Sequence, residues 1–154
     1  MSNCYIEKGK DSIVFSYLEK AKKIGLETKD TILLLEISNH YAIEYDHIGD
    51  SAKSLKEYLR VKKMASNLED KKYLLTIYEN IGVTYSHKKL YHKALKYFKK
   101  SKKLSVKIKD TVAIVKTLCN MTRPYMYLND LDNATKSINQ GIEIVEKTAS
   151  HYWL

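Results

Sequence analysis

The chain has 154 residues, 44% of them apolar, and a formal net charge of +9. That apolar fraction is ordinary for a folded soluble protein, the positive balance admits anionic partners, and one proline with five glycines favours helix. The two cysteines, Cys4 and Cys119, show no metal or redox spacing and read as reduced, buried thiols, while apolar runs such as Ile32 to Leu35 are far too short for a bilayer, which excludes membrane insertion and makes the cytoplasm the expected compartment.

In chain order, Tyr5 occupies the place that Tyr45 holds later, so the chain is expected to begin inside one helix. Residues 11–27 then form a second, with Val14, Leu18, Ala21 and Ile24 facing inward. Residues 31–47 carry Leu34, Ile37, Tyr41 and Tyr45 in steps of three and four, the period of an amphipathic helix. His47-Ile48-Gly49-Asp50 breaks it, with Gly49 suited to a helix C-terminus and Asp50 or Ser51 to an N-cap. Residues 51–66 carry Leu55, Tyr58, Val61 and Met64, and Asn67 to Asp70 is the next turn. Helix 71–87 follows with Leu74, Tyr78, Ile81 and Tyr85, and helix 90–107 with Ala94, Phe98, Ser101 and Leu104. Helix 111–128 carries Ile114, Leu118, Met121 and Tyr125. Helix 131–147 carries Ala134, Ile138, Gly141 and Ile144, and residues 150–154 start another.

These stripes repeat every 40 residues. Tyr5, Tyr45, Tyr85 and Tyr125 keep the interval, as do Leu18, Tyr58, Phe98 and Ile138. A fixed period of this size marks a stacked array of helix pairs, each burying its apolar face on its neighbours. The units are a partial repeat at 1–28, repeats at 31–67, 71–107 and 111–147, and a partial helix at 150–154. Small residues at Ala21, Ala94, Ser101, Ala134 and Gly141 are expected to let helix axes approach closely. Tyr58, Tyr85 and Phe98 fill the gaps. Tyr152, Trp153 and Leu154 are not a polar cap, so the array is expected to continue or to pack on another copy.

The central unit reads Tyr78-Glu79-Asn80-Ile81-Gly82-Val83-Thr84-Tyr85, then Tyr91-His92-Lys93-Ala94-Leu95-Lys96-Tyr97-Phe98. It resembles the tetratricopeptide repeat family, in the pattern aromatic-x-x-Leu-Gly-x-x-Tyr followed by Tyr-x-x-Ala-x-x-x-Phe. The unit is longer than the family's usual length of about 34 residues. In this it is similar to the repeats of bacterial quorum-sensing peptide receptors and tetratricopeptide-bearing regulators. The resemblance implies an all-α, right-handed superhelical solenoid of antiparallel helix pairs, without enzymatic activity. Its first helices would line a concave groove that binds a protein or an extended peptide.

The groove positions are then Asn39, Glu79, Asn80, Lys116, Asn120 and Arg123, with Tyr127 at the edge. Amides donate and accept at once, which matches a peptide backbone, and Lys116 or Arg123 suits a carboxylate. The family's clamp for C-terminal carboxylates is only partly present, since Asn39 and Ile43 replace its first Lys and Asn. Pro124 stands inside a predicted helix, where tolerance near its solvent side is expected. A second surface is basic. Lys89, Lys93, Lys96, Lys100, Lys103 and Lys107 advance by four and three along one helix face, and Lys53, Lys56, Arg60 and Lys63 do so in the preceding unit. That convex face is the alternative site, for nucleic acid or another polyanion, and self-assembly through the ends is a third role. No residue pattern points to catalysis, a cofactor or a metal.

Overall fold

The computed structural model describes residues 2–66, 68 and 71–150, with side chains between residues 12 and 149. Among these there are seven helices and no strand: α1 (Ser2–Glu27), α2 (Thr31–His47), α3 (Ser51–Ala65), α4 (Lys72–His87), α5 (Tyr91–Lys107), α6 (Thr111–Tyr127) and α7 (Leu131–Ser150). The chain divides into two compact units, Met1–Leu68 and Glu69–Leu154. In the first, α1 packs on α2 and α2 on α3. In the second, α4 pairs with α5 and α6 with α7, and α6 also lies against α4 and α5.

The turns explain where the helices stop. Lys29, Gly49, Lys89, Lys109 and Asn129 all have φ between +56° and +82°, the left-handed conformation of a helix C-cap. The next residue donates its backbone N–H back to a carbonyl of the helix end, as from Asp110 N to Ser105 O at 2.9 Å and from Asp130 N to Tyr125 O at 2.9 Å. That same residue caps the following helix. Asp30, Asp50, Asp110 and Asp130 accept from the backbone amides of Leu33, Lys53, Ala113 and Asn133. Four of these five turns are therefore closed by one left-handed residue and one capping Asp; at the fifth, Leu90 follows Lys89 and no side chain caps α5.

The core of the second unit is Phe98 with Ala94, Leu95, Met121, Tyr125 and Ala134. Phe98 owes its seat to Gly82. A Cβ at Gly82 would lie 2.5 Å from Phe98 Cε1 and 2.7 Å from Cδ1. The Gly-to-aromatic spacing noted in the sequence is thus a contact between α4 and α5.

Several expectations are corrected. One helix, α1, runs through the point where a break between residues 5 and 11 was expected; Lys10 stands there in place of the capping Asp50 and Asp130. Ile24 is 54% exposed, and it is Gly25 that meets Leu34 of α2. Ile138 is 46% exposed, because among the described residues α7 is covered only on its α6 side, and a Cβ at Gly141 would meet nothing within 4 Å. Helix α7 also runs past residue 147 to Ser150. Tyr5, Cys4 and the Tyr152-Trp153-Leu154 end lie outside the described side chains, as do Asn67, Glu69 and Asp70 of the turn before α4.

Candidate functional site: the cleft between α4 and α6

Six of the seven expected groove residues belong to the second unit, on α4 and α6. A cleft of about 280 Å³ opens there, lined by Val83, Ser86 and His87 of α4, Phe98 of α5, and Cys119, Asn120 and Arg123 of α6. Its floor is aromatic and its α6 wall is amide and guanidinium. Asn39 lies on α2 in the first unit, half-buried.

Glu79 is not a groove surface residue. It is 2% exposed, and both carboxylate oxygens are engaged. Thr117 Oγ1 donates to Oε1 at 3.0 Å, and Lys116 Nζ lies 2.9 Å from Oε2. Ser101 Oγ stands 3.0 Å from Thr117 Oγ1. Thr117 has a single hydroxyl proton, spent on Glu79, so Ser101 is the donor in that second bond. One polar thread thus runs from α5 through α6 to α4. A buried carboxylate without such partners would be strongly destabilising, so the thread fixes how α6 sits on α4. Lys116, 61% exposed along its side chain, covers Glu79 at the surface.

Arg123 sits beside a layered aromatic pair. Its guanidinium carbon is 5.7 Å from the Tyr127 ring centre, and the Tyr127 and Tyr91 rings stack at 4.8 Å with 2° between planes. Tyr127 is 60% exposed. Arg123 forms no ion pair with an acid among the described residues, so its charge remains available to a ligand. Pro124 follows it and is fully buried, not near solvent as expected. Its ring lacks the N–H that would close on the Asn120 carbonyl one turn back, which leaves α6 continuous but that carbonyl without its helical donor. Asn80 is half-buried, and its carbonyl accepts from Thr84 Oγ1 at 3.0 Å. Asn120 is half-buried on the cleft wall.

The sequence had placed Cys119 among buried thiols, but it is free and exposed. His87 is the one α4 wall residue that the groove positions of the sequence do not include; its signal is positional, since it closes the turn of α4 that faces Arg123.

The basic residues of the alternative site are all at the surface, on α3 and α5, except that Lys89, expected on the same helix face, lies in the turn before α5 with φ +58°. Several are already engaged. Lys93 lies over Tyr85 at 5.8 Å, and Lys100 over Tyr97 at 5.0 Å and Tyr78 at 5.7 Å. Lys53 pairs with Asp50 at 2.9 Å and lies over Tyr45, and Arg60 pairs with Glu57 at 3.6 Å. The bond and charge of Asp50 hold the Lys53 ammonium above its ordinary pKa. Lys56, Lys63, Lys89, Lys96, Lys103 and Lys107 stand in the open. No group of three or more His, Cys, Asp and Glu side chains suited to a metal occurs among the described residues. No described helix is long and apolar enough to cross a membrane.

Residues 75–105 match the tetratricopeptide repeat model, from the middle of α4 to the end of α5. Among solved structures, the crystal structure of BtubC (BKLC) from P. vanneervenii aligns over 91% of this chain with a TM-score of 0.75 at 18% identity. At that identity the likeness concerns the fold. The aligned region makes up 57% of the BtubC chain. No curated protein sequence matches. The chain therefore carries a tetratricopeptide repeat at residues 75–105, within an all-α fold of tetratricopeptide-like helix hairpins.

Proposed function

We propose that this chain is a non-enzymatic protein-binding module, the sensing or scaffolding part of a regulator, and that it takes an extended peptide into the cleft between α4 and α6. Tetratricopeptide repeats generally mediate protein–protein interaction, and the cleft has the lining for it. The observation that carries the reading is the juxtaposition of Asn120 and Arg123 over the Phe98 floor, with Arg123 held on Tyr127 and Tyr91. Asn120 would pair with the peptide backbone, Arg123 with a carboxylate, and Val83 and Phe98 with one apolar side chain. Asn80 and Lys116 would extend the contact within the second unit, Glu79 would act by positioning Lys116, and Asn39 is proposed as a separate peptide contact on the first unit.

Short random peptides displayed on phage and selected on the chain test this. Asn120→Ala with Arg123→Ala should abolish capture of the selected peptides, while Lys96→Glu with Lys100→Glu should leave it intact. The reverse pattern would transfer the function to the basic face. That second reading, polyanion binding, is favoured by the open lysines of α5. It predicts binding to heparin or single-stranded nucleic acid that falls steeply with salt.

A further inference from the structure

Two helices carry an apolar stripe that nothing covers among the described residues. On α7, Ile138, Ile142 and Val145 are 46%, 50% and 52% exposed and step by four and three, so they share one face. On α1, Ile13, Tyr17 and Ile24 are 58%, 66% and 54% exposed, with Lys20 between them at the same helical spacing. Among the described residues, helix α1 packs only on α2, and α7 only on α6.

The 40-residue register says what kind of object the α7 stripe is made for. Inside the second unit, α6 docks on α5 by placing Met121 and Tyr125 around Phe98 and Thr117 on Ser101. One period on, Phe98 and Ser101 become Ile138 and Gly141. The first is half in solvent, and the second has open space where a side chain would project. The α6/α7 face thus repeats a face that a helix already covers in the preceding repeat. Beside it an apolar groove of about 610 Å³ runs between Val112 and Val115 of α6 and Ile144 and Val145 of α7. This is room for larger side chains than the Thr117 of the internal contact.

Charge selects the occupant. Asp132 and Glu146 stand on α7 without an ion pair among the described residues. Lys20, in the middle of the α1 stripe, also has no acid partner there and rests over Tyr17 at 5.3 Å. We infer that the occupant is a second copy of this chain, which seats Ile13, Tyr17 and Ile24 of its α1 in the α6/α7 groove with Lys20 toward the acids of α7. The contact is head to tail, so association is not limited to a pair of copies. It shares only Lys116, which Glu79 holds at 2.9 Å, with the proposed peptide surface, and it uses none of the lysines of α5.

Sedimentation of the full chain over rising concentration tests it. The weight-average mass should climb above the 17.9 kDa of one chain. Ile138→Glu with Val145→Glu should hold it at one chain, and so should Ile13→Glu with Tyr17→Glu. An equimolar mixture of the two double variants should form a one-to-one dimer and nothing larger, since each keeps one intact face. Circular dichroism checks that all four exposed positions leave the helices folded. Lys20→Glu gives a milder version: it should weaken association roughly twofold to fivefold, the scale of one exposed ion pair, and Glu146→Lys on the partner should restore it. A wild-type chain that stays single at every concentration would overturn the inference. So would an α1 double variant that still pairs with itself, because that outcome means α7 meets α7.

Discussion

Gly82→Ala isolates the contact on which the second unit is built. The added methyl would sit 2.5 Å and 2.7 Å from two atoms of the Phe98 ring, where carbon atoms normally rest about 3.5–4.0 Å apart. Phe98 is 1% exposed and held by Met121, Tyr125, Leu95 and Ala134, so the ring has no free direction in which to retreat. Overpacking of this kind costs about 1–3 kcal/mol, and a contact this short belongs in the upper half of that range. Replacing a mid-helix glycine by alanine returns about 1 kcal/mol. The net loss is about 1–2 kcal/mol, a fall in Tm of roughly 5–15 °C for a unit of this size. Gly141→Ala is the internal control, since its methyl meets nothing within 4 Å and should raise Tm by the propensity gain alone. Thermal unfolding followed by circular dichroism reads both, and Phe98→Leu in the Gly82→Ala background should recover part of the loss. If Gly82→Ala stabilises as Gly141→Ala does, or if the double variant is strictly additive, the packing argument is refuted.

Three further outcomes follow from the same structure. Lys89→Gly and Lys109→Gly should each raise stability in urea unfolding by about 0.5–1 kcal/mol, because both residues hold φ near +57°, a conformation costing an L-residue about 1–2 kcal/mol. Thr117→Val should cost about 1–3 kcal/mol in the same assay, since it leaves Glu79 Oε1 and the Ser101 hydroxyl without their buried partner. Tyr41 donates to Glu19 Oε1 at 2.5 Å, and this bond, with Lys22 nearby, holds the Glu19 carboxyl below its ordinary 4.5. A depressed acid stabilises above the unfolded pKa and loses that contribution as pH falls through the folded one. Protection of the α1 amides, taken relative to the intrinsic exchange rate at each pH, should therefore fall below about pH 4.5 in the wild type, and Glu19→Gln should abolish that part of the pH dependence.

The 40-residue recurrence of Tyr45, Tyr85 and Tyr125 was visible in the sequence because large side chains at equivalent places do equivalent packing. The 20-residue recurrence of left-handed turn residues was not, because only Gly49 among the five is a glycine; the lysines hide a backbone need behind an ordinary surface residue. Glu79 was read as a groove residue for a similar reason. Its carboxylate suggests a surface, and only Thr117 and Ser101, on two other helices, make a buried position tolerable. Ser101 reads in the sequence as a small spacer, yet its hydroxyl is half of that thread. Ile24 and Ile138 were assigned inward by periodicity alone, which gives the apolar face of a helix but not whether a neighbour comes to cover it. Asn120 and Arg123 were legible as groove residues because their helix was known. Their shared cleft with Val83 and Ser86 depends on how α6 lies against α4.

The most direct test of the peptide cleft is a titration of an isotope-labelled chain with a phage-selected peptide, followed by NMR. The cleft reading predicts the largest amide shifts at Val83, Ser86, Cys119, Asn120 and Arg123, and none along the lysines of α5. Shifts that gather on α5 and leave α6 unmoved would contradict it.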